Sequence, residues 1–230
     1  MKKKVKSREK IFNILMWLPI IVTLLLLPFM PDKMPLHIGL SGQVTSMGSK
    51  YTLIILSVIV IIMGLSVKYS IKKEAKKDVE AENATTRNEK SLTINGIAAL
   101  TLLNVVFFVF IYKGFALASP NNYLPDINSI QIINIMICIL LIIMGNILPK
   151  TRMNSLIGVR TSWSRANSES WAMSQRIGGR VFIAVGLISL IGSFFIAKSL
   201  VIVFTLGCLI AGSVVTVIGS NMAYRKTLRK

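Results

Sequence analysis

Residues 129–148, SIQIINIMICILLIIMGNIL, form a run of twenty residues without a single Asp, Glu, Lys or Arg. The hydrocarbon core of a bilayer is about 30 Å thick, so a spanning helix needs roughly 20 predominantly apolar residues. The run has that length, and its apolar residues do not alternate with polar ones as in the strands of a membrane barrel. The stretch therefore predicts a transmembrane helix.

Five further blocks lack charged residues, and they cover 11–30, 51–67, 92–112, 181–197 and 199–224. The chain of 230 residues is 53% hydrophobic and carries a formal net charge of +18, a combination that fits apolar blocks in lipid and basic connections in water. The first block is longer than the apolar part of a signal peptide and lacks a following cleavage site, so it is interpreted as a retained span. We predict an all-α polytopic membrane protein with six transmembrane helices, of which the last two form a tight hairpin around Lys198.

Positive charge divides the connections into two sets. Lys and Arg number 23 in residues 1–10, 68–91, 149–180 and 225–230, and only 4 in the connections that alternate with them. Because basic loops stay in the cytoplasm, both termini and the loops 68–91 and 149–180 are predicted to be cytoplasmic. The basic residues lie on four membrane-edge segments instead of one face, which disfavours direct binding of nucleic acid.

The predicted organisation has three parts. Residues 1–67 form an N-terminal helical hairpin with a Pro/Gly-rich outer loop, and residues 92–230 form a four-helix region that includes the loop 149–180. Between them, the charged loop 68–91 either extends the second helix into solvent or lays its lysines on anionic lipid. A specific partner for this loop is a further alternative, which charge alone does not establish.

Polar chemistry is sparse within the six blocks. Asn104 and Asn134 are the deepest polar groups, and we expect them to form hydrogen bonds between helices. Gly207, Ala211, Gly212 and Gly219 have the small side chains that permit close packing of helices. Cys138 and Cys208 lie in apolar blocks and are expected to pack as small hydrophobes.

Catalytic and cofactor motifs are not found in the sequence. His37 is the sole histidine, so a metal site built from several histidines is impossible, and no catalytic set or cofactor is predicted. The lack of intramembrane charge also disfavours a pump or proton-driven transporter. A small transporter or channel, and a lipid-handling accessory protein, remain as alternatives to the function discussed below.

The loop 31–50 contains Pro31, Pro35, Gly39, Gly42 and Gly48. The prolines end the first helix and favour an extended chain, and glycines permit turns that other residues disfavour. We expect a compact cap, which is either a simple helix-ending turn or an outward-facing binding surface.

The loop 149–180 contains two of the three tryptophans. Trp163 and Trp171 are expected at headgroup level, with the ring in lipid and the N–H in water, and a short helix is predicted to begin at Asn167 or Ser168. Arginines 160, 165 and 176 beside these rings suit lipid phosphate or a cytosolic protein.

This inner loop resembles the signature of the SdpI family of bacterial membrane immunity proteins. That signature has an Asn, then Ile-Gly-Ile-Arg-Thr-Pro-Trp-Thr, then a Trp followed by Thr-His-Arg and a pair of glycines. The matching residues are Asn154, Ile157, Gly158, Arg160, Thr161, Trp163, Trp171, Arg176, Gly178 and Gly179. Ser162 replaces the proline, Ser164 the last threonine, and Ser174-Gln175 the Thr-His pair.

The loop 31–50 resembles a short domain of unknown function that is often fused N-terminally in this family. Its Pro-Asp-x-x-Pro-x-His pattern, the later glycine and the lysine at the next helix are matched by Pro31, Asp32, Pro35, His37, Gly42 and Lys50. The aromatic residue that usually follows the histidine is replaced by Ile38.

The resemblance implies immunity against a secreted antimicrobial peptide, combined with sensing of that peptide. In such a mechanism the inner loop draws an ArsR-like autorepressor from the cytosol to the membrane. The candidate toxin-sensing residues are Asp32, Pro35, His37, Gly42 and Lys50. The candidate signalling or headgroup-binding residues are Asn154, Gly158, Arg160, Thr161, Trp163, Trp171 and Arg176.

Overall fold

Six helices that are long and apolar enough to cross a membrane form the fold, which confirms the predicted class and number of spans. The computed structural model describes residues 2–80, 87–119, 125 and 127–229. The helices are α1 (Lys2–Leu26), α2 (Thr52–Glu80), α3 (Arg87–Ala118), α4 (Ser129–Ile147), α5 (Ser168–Gly192) and α6 (Val201–Leu228). Between α1 and α2, strands β1 (Lys33–Ile38) and β2 (Val44–Ser49) form an antiparallel pair, here called the hairpin.

Several helices extend beyond the apolar blocks that predicted them. The start of the loop 68–91 continues α2 as far as Glu80, but this extension is not fully solvated, because Ile71 and Glu74 are buried. Residues 81–86 of that loop lie outside the described residues. The short helix predicted near Ser168 is not separate, because α5 runs without interruption from Ser168 to Gly192. Asn167 caps it by accepting a hydrogen bond from the Ser170 N–H, the role that the sequence left open between Asn167 and Ser168.

Contacts near the helix termini show that successive helices run in opposite directions. Lys68, late in α2, donates to Asn13, early in α1 (2.9 Å). Asn167, at the start of α5, donates to Thr227, near the end of α6 (3.2 Å). Glu74 of α2 also contacts Ser155, so the start of α1 and the end of α6 lie at the end of the bundle that holds residues 151–167, which we call the α4–α5 loop. We call this end of the bundle the loop end and the opposite end the hairpin end.

The helices pack as two groups of three. Helices α1, α2 and α3 contact one another, as do α4, α5 and α6, and the contact between α3 and α4 joins the groups. Asn104 of α3 donates to the Leu15 carbonyl of α1 (2.9 Å), and Asn134 of α4 accepts from Thr205 of α6 (2.8 Å). Both asparagines thus form the interhelical hydrogen bonds expected from the sequence.

Glycines set the close approach of α5 to its neighbours. A Cβ atom on Gly179 would lie 2.6 Å from the carbonyl oxygen of Gly145 in α4, and one on Gly145 would lie 2.6 Å from the carbonyl of Gly179. On the α6 side, a Cβ on Gly212 would lie 2.6 Å from Val185. A Cβ atom on Gly207, in contrast, would have no neighbouring atom within 4 Å.

Candidate functional site

The hairpin is closed at its base by an ion pair. Lys50 Nζ lies 3.1 Å from Asp32 Oδ1, and the Lys50 N–H donates to the Asp32 carbonyl (3.1 Å). At its tip, Gly42 has a φ of +83°, a conformation that L-residues with a side chain rarely adopt. The compact cap expected from the sequence is therefore a two-stranded hairpin, with Asp32 and Lys50 at its base and Gly42 at its tip.

The hairpin is fixed on the ends of α3 and α4. Met34 is fully buried, and a Cβ atom on Gly114 of α3 would collide with its side chain and lie 3.2 Å from Pro35. Met34 belongs to an apolar cluster that includes Phe107 and Ile111 of α3. At the tip, Gly42 is buried near Ile130 of α4. The hairpin is therefore a packed element rather than a free loop.

His37 and Asp32 are exposed, whereas the hairpin motif residues Pro35 and Gly42 are buried. His37 Nδ1 lies 2.6 Å from Thr45 Oγ1 on the facing strand, which holds the ring against the hairpin. The exposed apolar side chains Leu36, Leu40 and Met47 lie in the same hairpin. This combination of an oriented polar ring and exposed apolar groups suits contact with an amphipathic ligand.

A cavity of about 850 Å³ separates the hairpin tip from the neighbouring ends of α3 and α4. Among its described lining residues are Met47 of β2, Leu117 of α3 and the two lysines Lys113 and Lys198. Lys113 is almost completely buried. The hairpin end therefore combines a concave surface with positive charge.

The α4–α5 loop folds around Asn154. The side-chain oxygen of Asn154 accepts from the N–H groups of Leu156 and Ile157 (both 2.9 Å), and its Nδ2 donates to the Arg152 carbonyl (2.8 Å). A single buried carboxamide thus satisfies three backbone groups in a segment without regular secondary structure. Asn154 is therefore a structural residue of this loop.

Gly158 lies where the loop crosses α5. Val159 donates to Gln175 Oε1 (2.9 Å), and Gln175 Nε2 donates back to the Val159 carbonyl (3.0 Å). Gly158 has a φ of +125°, and a Cβ atom there would lie 2.7 Å from that same Oε1 and 3.1 Å from the ring of Trp171. The glycine is required both by its conformation and by this close approach. Gln175 was named only as a departure from the family pattern, and its pairing with the loop could not be inferred from the sequence.

Hydroxyl groups join the loop to α5 and α6. Thr161 Oγ1 lies 2.6 Å from Ser220 Oγ of α6, and Ser174 of α5 donates to the same Ser220 oxygen (3.1 Å). Ser170 of α5 donates to the carbonyl of Trp163, whose own side chain is half-buried (2.7 Å). The loop is thus held against both helices at the loop end.

The Trp171 side chain is buried in the protein, whereas the sequence led us to expect its ring in lipid and its N–H in water. It is 2% exposed, and its indole N–H donates to the Thr151 carbonyl (3.1 Å) instead of to water. Because α5 already begins at Ser168, Trp171 belongs to the first turn of a packed helix. Its role is to hold the beginning of the loop.

The motif arginines are exposed. Arg160, Arg165 and Arg176 are solvent-accessible, and Arg160 makes a long hydrogen bond to the Leu156 carbonyl (3.5 Å). The inner candidate residues thus fall into two groups. Asn154, Gly158, Thr161, Trp163 and Trp171 build the loop or hold it in place, whereas Arg160 on the loop and Arg176 on α5 present charge at the surface.

Glu74 of α2 is a further site residue, which sequence reasoning missed. It is 6% exposed and accepts hydrogen bonds from the N–H (3.1 Å) and hydroxyl (2.8 Å) of Ser155 in the α4–α5 loop. Asn88 of α3 makes a similar contact, accepting from the Arg152 N–H (2.8 Å). The sequence offered no signal for Glu74, because it lies in a run of charged residues that would be exposed in an isolated helix.

Within the part of the chain that the structure describes, there is no group of three or more His, Cys, Asp or Glu residues that could hold a metal ion. The candidate site is therefore composed of two docked segments, the hairpin and the α4–α5 loop, at opposite ends of a six-helix membrane bundle. The fold and these two segments together define a multi-pass membrane protein with a packed surface at each end.

Comparison with known proteins identifies the two segments. The SdpI/YfhL protein family model matches residues 150–220, and the domain of unknown function DUF1648 matches residues 14–61. Over 213 residues the chain is 23% identical to Immunity protein SdpI of Bacillus subtilis (strain 168), covering 93% of this chain and 94% of that protein. No solved structure gave a significant match. The resemblance to the SdpI family is thereby confirmed, and the chain is a multi-pass bacterial membrane protein with an SdpI region and an N-terminal DUF1648 region.

Proposed function

We propose that this protein protects its host bacterium against a secreted antimicrobial peptide. The observation that carries the proposal is the similarity to Immunity protein SdpI, which extends over nearly the whole of both chains. The motif residues of both family segments also support it, because they fold here into two well-packed surfaces. The proposal assigns an immunity function and no catalytic reaction.

The proposed orientation places the loop end in the cytoplasm and the hairpin end outside the cell. The segments predicted to be cytoplasmic carry 23 of the 27 Lys and Arg residues. The described parts of these segments belong to the loop end, since the start of α1, the end of α6 and the α4–α5 loop lie together. In this orientation a peptide arriving from outside meets the hairpin first.

The hairpin is the proposed contact surface for the peptide. His37 is exposed, and its ring is oriented by Thr45, beside the exposed side chains of Leu36 and Met47. An amphipathic peptide can bury its apolar residues on such a surface and form a hydrogen bond to the imidazole. Asp32, Pro35, Gly42 and Lys50 support this surface by closing and seating the hairpin.

Sensing is the second part of the proposal. Helix α2 begins directly after the hairpin at Thr52 and reaches Glu74, whose carboxylate binds Ser155 of the α4–α5 loop. With a rise of 1.5 Å per residue, the 22 steps between these residues correspond to about 33 Å. A shift of the hairpin on peptide binding would be transmitted by α2 to the loop. The loop would then present Arg160, beside Arg176 of α5, to an ArsR-like cytosolic repressor.

The immunity proposal predicts that expression of the chain in a peptide-sensitive bacterium raises survival against at least one secreted antimicrobial peptide. The variant His37→Ala should lose most of that protection at an unchanged protein level. An exposed side chain that contacts only a neighbouring threonine contributes within about 0.5 kcal/mol to stability. The measurement is survival across a panel of purified killing peptides, with membrane protein levels determined by immunoblot.

Ser199→Ala is the matched control, because Ser199 is exposed at the same end of the bundle but outside the hairpin. It should protect as well as the unmodified chain. Full protection by His37→Ala would remove the histidine from the contact surface, and failure of the unmodified chain against every peptide would contradict the immunity function itself.

A further inference from the structure

We propose that a cavity between α2, α3 and α4 binds one anionic phospholipid, with an acyl chain inside the cavity and the glycerol esters next to Asn95. The lipid comes from the leaflet at the loop end. This inference is independent of the proposed immunity function, since it concerns a site remote from the hairpin.

The cavity has a volume of about 360 Å³ and is almost entirely apolar. Leu140 and Met144 of α4 line it, and Leu156 and Ile157 of the α4–α5 loop close one side. Val67 of α2 and Ala99 of α3 also line it, and both are exposed on the outside of the bundle. In a bilayer the outside of the bundle is hydrocarbon, so the cavity opens sideways to lipid acyl chains.

Asn95 is the buried polar residue of this lining. It is 8% exposed, and within the part of the chain that the structure describes neither its Nδ2 nor its Oδ1 has a hydrogen-bonding partner. Leaving a buried polar group unpaired is costly, and a lipid environment offers no water to compensate. The ester carbonyls of a phospholipid are acceptors for the Nδ2 group.

The depth of Asn95 fits the ester region of a leaflet. It lies eight residues after the start of α3 at Arg87, which corresponds to about 12 Å along the helix. The acyl chain would continue from there towards Leu140, and the phosphate would lie nearer the helix terminus.

Charge at the rim selects an anionic headgroup. Ser66 and Ser70 line the cavity, and Lys73 follows Ser70 by three residues, so it shares their face of α2 one turn closer to the loop end. Lys73 is exposed. A lysine near the membrane surface attracts anionic lipid, which favours a lipid with a net negative headgroup over a neutral amphiphile.

Photo-crosslinking in nanodiscs tests the site. Phosphatidylglycerol with a diazirine in its acyl chain is irradiated with the full-length protein, and adducts are mapped by mass spectrometry. Adducts should be concentrated on the segments 92–99 and 140–157. Ala99→Phe fills the cavity from its rim and should reduce these adducts by about fivefold or more, the ratio that corresponds to ~1 kcal/mol. Asn95→Leu should also reduce the adducts on these segments.

Ala211→Phe is the matched control, since Ala211 is exposed on α6 and does not line the cavity. Adducts on the cavity segments of this variant should equal those of the unmodified protein. Equal labelling of the cavity segments and α6 in the unmodified protein would overturn the proposal whether or not the variants fold. Equal labelling by a diazirine phosphatidylcholine would overturn the selection of an anionic headgroup.

Discussion

Replacing Gly179 with leucine should leave little folded protein, whereas the same replacement at Gly207 should be tolerated. At Gly179 a Cβ atom alone would lie 2.6 Å from the Gly145 carbonyl and 2.9 Å from the Pro149 ring. Backbone atoms of a packed helix cannot give way as the end of a flexible side chain can, so α4 and α5 must separate. Overpacking of this kind costs about 3 kcal/mol or more.

Gly207 is a close control because it is also a helical glycine in a predicted span, and nothing lies within 4 Å of a Cβ placed there. Both substitutions change helix propensity equally, so their difference reports the contact alone. We expect Gly207→Leu to change the free energy of unfolding by no more than about 1 kcal/mol. Thermal unfolding in detergent, followed by fluorescence-detected size-exclusion chromatography, measures the stability of the Gly179→Leu and Gly207→Leu variants. Equal stability of the two variants would contradict the packing of α4 on α5.

Replacing Glu74 with alanine should release the α4–α5 loop from α2. The buried carboxylate accepts two hydrogen bonds from Ser155, and hydrogen bonds to charged groups contribute about 1.5–3 kcal/mol. Local opening of the loop should therefore become about 10- to 100-fold more frequent. Hydrogen–deuterium exchange at residues 151–165 measures this opening directly.

Glu9→Ala serves as the control for lost negative charge, because Glu9 is an exposed acid at the same end of the bundle. Exchange in the loop should remain unchanged in that variant. When a protective peptide is added, hydrogen–deuterium exchange in the α4–α5 loop should change in the unmodified protein but not in Glu74→Ala. Bacteria that express Glu74→Ala should still survive the peptide. A peptide-dependent change that persists without Glu74 would show that coupling does not run through this contact.

The spans were predictable because their signal is local. Each apolar block has 17 residues or more, about the length of a helix that crosses a bilayer, and the counts of Lys and Arg need no knowledge of tertiary contacts. The hydrogen-bonding roles of Asn104 and Asn134 were predictable for the same reason, because a carboxamide deep in a span has few partners other than a neighbouring helix.

The architecture of the site was less predictable because it depends on contacts between distant segments. Glu74 and Ser155 are 81 residues apart, and the charged surroundings of Glu74 give no indication of burial. Trp171 was expected at the interface from its amphipathic side chain, but the carbonyl that its N–H binds belongs to Thr151, 20 residues away. The resemblance identified the residues of the two segments, but it did not separate those that build the α4–α5 loop from the exposed arginines.

Labelling of single cysteines in intact cells tests the central claim most directly, namely that the hairpin faces the exterior and the α4–α5 loop faces the cytosol. Ser46→Cys and Ser162→Cys each place a thiol on an exposed position of one segment. The background carries Cys208→Ala, and Cys138 remains because it is fully buried. With a membrane-impermeant maleimide, we predict labelling of Ser46→Cys in intact cells and of Ser162→Cys only after permeabilisation. Labelling of both from the same side would contradict the account.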